Sequence, residues 1–235
     1  MKNKLGCLYG VGLGMGDPEL ITLKAKRVLS EVSLIFAPRS HNHSLSLAHS
    51  ILCSLDDQLS AKVVELNFPM HKDSSSLIPH WERAAEKIWH CLSQGEDCVF
   101  VNEGDPFFYG TFIHVFETLR RLHPEVRVEV IPGISSLHAA SARTLIPLAH
   151  GDEKVAVITS VLPEEMLREV LKKFDTVIIL KLSSFWDRVL NILKELDLMS
   201  KCTYVERSTL REERIIQDIR KVKDVDYFSL LIMKK

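Results

Sequence analysis

Short apolar, β-branched runs alternate with amphipathic helical stretches along the whole chain, and this rhythm narrows the possible folds more than any other feature. Residues 7–11, 33–37, 62–67 and 98–102 have the length and composition of strands. Residues 18–30 and 81–93 have helical periodicity. In the second helix, Trp81, Ala84, Ala85, Ile88, Trp89 and Leu92 recur at steps that place them on one buried stripe. Asp17-Pro18-Glu19 reads as a helix start, with a capping carboxylate, a proline whose missing N–H costs nothing there, and a negative charge in the first turn. The second half repeats the rhythm. Strands are expected at 127–131, 155–160, 176–182, 201–206 and 227–233, and helices at 135–143, 163–173 and 185–196. Strands spaced by helices of this length predict α/β sheets covered by helices. A helix over 111–122 must end at His123-Pro124, because the residue before proline avoids the α region. The expected domains are therefore 1–123 and 124–235, a plausible division of 235 residues.

Charge and cysteine usage exclude several classes. Thirty Lys and Arg stand against 31 Asp and Glu, a net charge of −1, so no global basic field is available to hold nucleic acid. No apolar stretch reaches the ~18 residues of a membrane span, and no apolar region of roughly 7–15 residues precedes the LGC triplet of the opening MKNKLGCLYG, so no signal peptide is expected. Five scattered cysteines without a C-x-x-C pair read as reduced thiols of a cytoplasmic protein. His41 and His43 have metal-like spacing, but no third ligand is near them, and no metal is expected.

Three turns carry the chemistry. Residues 10–17, GVGLGMGD, join a strand to a helix. They fail the dinucleotide fingerprint G-x-G-x-x-G, since Met15 and Asp17 stand where the third glycine is required. Asp17 would also repel a pyrophosphate at the helix start. What remains is a tight turn where a ligand, or another chain segment, meets bare backbone. The second turn, Asn102 to Thr111, reads NEGDPFFYGT and opens the next helix from the carboxyl edge of the sheet, where open α/β sheets bind ligands. Its Phe107, Phe108 and Tyr109 are either a pocket wall or packing at a domain junction. The third, Pro132-Gly133-Ile134-Ser135-Ser136, offers amides and hydroxyls that bind a polar ligand or cap the helix.

YGVGLGMGDPELITLKA, NEGDPFFYGTF, IPGISSLHAA and YVERSTLREERI occur in that order, and with them the chain resembles the tetrapyrrole (corrin/porphyrin) methylases over essentially its whole length. The resemblance is strongest to the members that methylate C20 of precorrin-2 or cobalt-factor II in cobalamin biosynthesis. It implies two αβα domains with the active-site cleft between them, not a Rossmann-type methyltransferase, and S-adenosylmethionine as cofactor. It also implies a homodimer. Carried over by position, the implied cofactor contacts are Met15, Glu103, Gly104, Asp105, Phe108, Ser135, Ser136, Leu182, Val205, Glu206 and Ser229. Met15 replaces the proline usual in the family's first motif, so the turn loses a fixed φ. Alternatives are another ring position, or a non-catalytic relative that only binds the cofactor.

Transfer of a methyl to a meso carbon needs alignment of carbon, methyl and sulfur, which is worth roughly 7–11 kcal/mol when held near attack distance. Glu103 and Tyr109 are both candidates to accept the proton lost afterwards. The tetrapyrrole's carboxylates call for cationic donors, and Arg39, His41, Arg143 and Arg207 are the candidates. For Arg143, stabilisation of a helix C-terminus competes as an explanation, and Arg211 falls in a charge run of the kind that faces solvent.

Overall fold

The computed structural model describes residues 4–39, 46–69, 77–159 and 161–235. They form two compact units, residues 1–135 and 136–235. Each unit holds one five-stranded sheet.

In the first unit, strands β1 (Cys7–Gly12), β2 (Leu34–Arg39), β3 (Val63–Asn67), β4 (Cys98–Asn102) and β5 (Arg127–Ile131) are ordered β3-β2-β4-β1-β5. Every pairing is parallel. Helices α1 (Leu23–Glu31), α2 (Leu47–Leu55), α3 (Asp57–Ser60), α4 (Ile78–Ser93) and α5 (Phe112–Leu122) connect them. Both sheet faces are buried, and alternate residues serve alternate faces. Ile35, Ala37, Val99 and Val101 pack with Val28 and Leu29 of α1 and Ile51 and Leu52 of α2. Phe36, Cys98 and Phe100 pack with Ala85, Ile88 and Leu92 of α4 and Phe112, Val115 and Leu119 of α5. A buried Leu, Ile or Phe contributes about 1.5–3 kcal/mol, an exposed ion pair such as Arg27–Glu31 about 0.2–1. The two apolar layers therefore hold the unit. Pro38 is tolerated because β2 pairs with β4 only as far as Phe36, so no ladder bond is missing beyond it.

The division expected at 123/124 is found at 135/136. β5 pairs with β1 from Cys7↔Arg127 to Val11↔Ile131, which binds it to the first sheet. The expected helix 18–30 is two pieces. Asp17 caps a 3-10 turn, Pro18–Leu20, by accepting from Glu19 N at 2.9 Å. Thr22 then caps α1 through Ala25 N at 3.1 Å. Two local caps outcompete one continuous helix, as short polar side chains do at chain turns. Helices α2 and α3 carry no clear signal in the sequence; the polar residues of LAHSILCSL blur the stripe of α2, and α3 is only four residues long.

The second unit contains α6 (Ser136–Thr144), β6 (Val155–Thr159), α7 (Glu164–Lys173), β7 (Thr176–Leu180), α8 (Trp186–Glu195), β8 (Cys202–Glu206), β9 (Arg214–Ile216) and β10 (Ser229–Lys234). Its sheet runs β6-β7-β10-β8-β9 and is mixed: β6 and β7 are parallel, while β10 is antiparallel to both neighbours. Leu167 and Leu171 of α7 and Val189, Ile192 and Leu193 of α8 form its core with Val177, Ile179, Tyr204 and Leu231. β9, three residues inside a charged segment, carries no strand signal in the sequence. Strand β7 stops at Leu180 because Lys181 turns the chain with φ 59°.

Strand order is what brings the turns together. β4, β1 and β5 are adjacent, so their carboxyl ends, at Asn102, Gly12 and Ile131, lie side by side. A Cβ on Gly12 would stand 2.5 Å from Gly104 O and 2.6 Å from Gly133 N, both backbone atoms. Gly12→Ala is therefore expected to destabilise the first unit by at least the ~1–3 kcal/mol typical of overpacking. Urea unfolding followed in parallel with wild type measures it, and an unchanged midpoint would mean the three turns can move apart.

Candidate active site

The first two turns are hydrogen-bonded backbone to backbone, and the third lies against them. Gly104 N donates to Gly14 O at 2.7 Å and Gly14 N to Gly104 O at 3.4 Å, forming a two-residue antiparallel bridge. Leu13 N donates to Asn102 O at 2.9 Å. A Cβ on Gly133 would lie 2.2 Å from Gly104 O. Gly104 has φ 66°, a conformation that favours glycine.

Two polar side chains hold the central turn in shape. Asn102 is 2% exposed; its Nδ2 donates to Glu103 O at 2.6 Å, and its Oδ1 accepts from Phe112 N at 3.3 Å, the first amide of α5. Asp105 Oδ1 accepts from Phe107 N at 2.9 Å, and Oδ2 accepts from Gly133 N at 3.1 Å. Asp105 thus clips the second turn to the third. The signal for Asn102 was present in the sequence, as an amide side chain closing an otherwise apolar strand.

Glu103 sits beside this frame. Its Oε1 accepts from Ala48 N at 3.3 Å, in the first turn of α2. Burial of the carboxyl raises its pKa above the ordinary carboxylate value, against the opposing pull of the Ala48 N–H. Met15 is buried, with its Sδ 3.5 Å from where a Gly104 Cβ would stand. Phe108 meets Tyr109 edge-on at 5.0 Å. Tyr109 is half exposed and holds φ 56°, a strained position for a bulky residue. Ser135 is buried, and Ser136 opens α6 in the second unit.

The second unit gathers the remaining expected contacts at one edge of its own sheet. Ser229 pairs with Glu206, and Leu230 pairs with both Val205 and Leu180, so the ends of β7 and β8 meet the start of β10. Leu182, fully buried, follows directly. The Glu206 carboxylate is engaged internally: Tyr204 Oη donates to it at 2.6 Å and Arg214 Nη2 at 3.0 Å. Burial, then the Glu206 contact, lifts the Tyr204 phenol to about 12.

The candidate substrate cations are ion-paired. Arg39 Nη1 binds Glu65 at 2.7 Å. Arg143, in the last turn of α6 as the helix-terminus explanation requires, also grips Glu213 with Nε and Nη2, at 2.9 and 2.7 Å. Arg207, at φ 48°, donates to Asp226 at 2.8 Å. His41 lies outside the described residues. Among the described residues, no cluster of three His, Cys, Asp or Glu side chains is arranged for a metal, and no helix is long and apolar enough to cross a membrane.

The turns of the first unit carry Asp17, Glu103 and Asp105 and not one Lys or Arg across residues 10–18, 102–111 and 132–136. Bare backbone, acids and aromatics suit a cationic, partly apolar ligand and oppose a polyphosphate.

Residues 7–222 match the family described as tetrapyrrole (corrin/porphyrin) methylases. The chain is 36% identical over 235 residues to the probable cobalt-precorrin-2 C(20)-methyltransferase of Methanocaldococcus jannaschii, with 97% of this chain and 96% of that one covered. Identity is 28% over 234 residues to the cobalt-precorrin-2 C(20)-methyltransferase of Salmonella typhimurium, covering 98% and 97%. In fold it is similar to the crystal structure of uroporphyrin-III C-methyl transferase from Thermus thermophilus complexed with S-adenyl homocysteine, with a TM-score of 0.66, 24% identity and 98% of each chain covered.

Two measurements test this geometry. Asp105→Ala leaves the Gly133 and Phe107 amides without their acceptor and should cost about 1–3 kcal/mol, seen as a lower urea midpoint; Asp105→Asn, which keeps an acceptor oxygen, should recover part of it. For Glu103, the raised pKa means that the folded state holds its proton to higher pH than the unfolded chain. Stability from this group is therefore present below about pH 4.3, the unfolded value, and lost as pH rises through the folded value. Glu103→Gln should melt higher than wild type at neutral pH, with the gap closing near pH 4. A gap independent of pH would show that the Glu103 carboxyl is not held in a desolvated place.

Proposed function

Because the chain belongs to the tetrapyrrole (corrin/porphyrin) methylase family, we propose that it is an S-adenosylmethionine-dependent methyltransferase acting at C20 of a precorrin-2-type tetrapyrrole in cobalamin biosynthesis. The observation that carries the reading on this chain is the acidic, cation-free set of glycine turns at the ends of β1, β4 and β5. A sulfonium cofactor fits it: glycines leave the backbone open, Glu103 supplies opposite charge, and Phe108 and Tyr109 offer aromatic faces. S-adenosylmethionine, when bound, supplies an electrophilic methyl group.

The chain's own residues have positioning and proton-handling roles in this proposal. Gly104 and the Gly133–Ser135 turn present backbone polar atoms, and Asp105 keeps the two turns at fixed spacing. Met15 contributes through its backbone and buried thioether, so the proline usual at that place is dispensable. Leu182, Val205 and Ser229 of the second unit carry the cofactor assignment by resemblance, together with the backbone of Glu206, whose carboxylate already serves Tyr204 and Arg214. Glu103 is the proton acceptor after methyl attachment. Burial raises its pKa above the ordinary carboxylate value, which strengthens it as a base, whereas Tyr109, half exposed, forms part of the wall. Arg39 and Arg207, ion-paired with Glu65 and Asp226, are the residues assigned to substrate carboxylates. A homodimer and a cytoplasmic setting complete the proposal; light scattering of the purified protein tests the dimer.

The deciding experiment is anaerobic methyl transfer from S-adenosylmethionine to precorrin-2 and to cobalt-factor II, with product mass and methyl position read out. One methyl at C20 is expected. A methyl at another carbon would overturn the assignment of position, and no transfer with cofactor binding intact would overturn the assignment of substrate. Glu103→Gln should lower kcat by 10²- to 10⁴-fold, the usual range for a lost general base. Arg39→Gln should raise substrate KM.

A further inference from the structure

The first turn of α2 is fastened to two carboxylates that arrive from different strands. Ala48 N donates to Glu103 Oε1 at 3.3 Å, on the turn after β4. Two residues earlier, Ser46 N donates to Glu65 Oε1 at 3.4 Å, on β3. Ser46 Oγ caps the helix by accepting from His49 N at 3.1 Å. The His49 ring closes the arrangement. Its Nδ1 is 3.3 Å from Glu65 Oε1, and its Nε2 is 3.2 Å from Ser60 Oγ. Glu65 is a pure acceptor, so Nδ1 carries a proton, and Nε2 shares a hydrogen bond with the Ser60 hydroxyl. Arg39 Nη1 holds the other Glu65 oxygen at 2.7 Å.

These contacts are more than a helix cap needs. Ser46 alone caps α2, whereas Arg39, Glu65, His49 and Ser60 form a chain across β2, β3, α2 and α3 with His49 only 14% exposed in its side chain. The consequence of the chain is to fix where Ala48 N points, and Ala48 N is what holds Glu103 from outside its own turn. We infer that His49 and Glu65 are positioning residues for methyl transfer, setting the Glu103 carboxylate through the first turn of α2. The inference concerns the placement of Glu103 and borrows only its functional consequence from the proposed proton-acceptor role.

The charged and titratable groups around the clamp are Arg39 on β2, Glu65 on β3, His49 on α2 and Glu103 after β4. His49→Ala removes the ring from Glu65 and loosens the turn. His49→Asn places an amide N–H where Nδ1 stood and restores the Glu65 bond alone. The carboxyl titration of Glu103 is followed by 13C NMR of the 13C-glutamate-labelled full chain, its signal assigned by its loss in Glu103→Gln.

In His49→Ala the Glu103 midpoint should move upward, because the Ala48 N–H no longer favours the charged form. His49→Asn should bring it back. With methyl transfer active, kcat should fall roughly ten- to a hundredfold in His49→Ala, as misplacement of about 1 Å does, with substrate KM unchanged and the acid limb of the pH profile displaced in the same direction. If His49→Ala fails to fold, His49→Gln serves, since its amide reaches the Ser60 position while leaving Glu65. An unmoved Glu103 midpoint in these lesions overturns the inference. A moved midpoint with unchanged kcat leaves the positioning intact and removes Glu103 from the chemistry.

Discussion

The close approach of backbone at Gly12, Gly104 and Gly133 is the constraint on which the first unit's functional edge depends. Three strand ends can meet at this spacing only where no side chain intervenes, since a Cβ at Gly12 or Gly133 would fall within 2.6 Å of another residue's main-chain atoms. The parallel order β4-β1-β5 brings the strand ends into reach. The Gly14–Gly104 bridge then converts neighbouring turns into one frame. Asp105 and Asn102 spend their polar groups on that frame, so the acids in the motif are not interchangeable: one is built in, while Glu103 stands beside the frame in a desolvated place.

The electrostatic character of the edge follows from the same economy of residues. Backbone amides take up Asp105 and Asp17, and no basic side chain is drawn into the turns. Arg39 is paired with Glu65 and, in the second unit, Arg207 with Asp226. Pairing of this kind holds a planar guanidinium in one orientation.

The second unit solves a different problem with a different sheet. Its β10 runs antiparallel between β7 and β8, so the last strand starts where the other two finish. That reversal gathers Leu182, Val205, Glu206 and Ser229 at one edge, although they are spread over nearly 50 residues of sequence, roughly 160 Å if fully extended. The Tyr204–Glu206–Arg214 cluster ties β9 to this edge and explains why a short, charged segment becomes a strand at all.

Local chemistry made much of this legible in the sequence. Alternating apolar runs marked every strand but β9, because a buried strand needs a continuous apolar face and a short edge strand does not. Glycines at 12, 104 and 133 marked the turns, and the aromatic stripe of α4 marked its buried side. Other features depended on partners remote in the chain. β5 belongs to the first sheet because β1 offers it an edge, which no local signal at Pro124 can reveal. Thr22 breaks a helix that periodicity alone would continue. The second role of Asp105, the pairing of Arg143 with Glu213, and the clamp of His49, Glu65 and Ala48 on Glu103 each join residues 16 to 70 positions apart. The sequence by itself determined nearly all the strands, the glycine turns and the family, because these rest on residue type and short spacing. Only the tertiary structure decided which carboxylate is consumed in holding the turns and which is left desolvated, because that is settled by burial and by donors brought in from other strands.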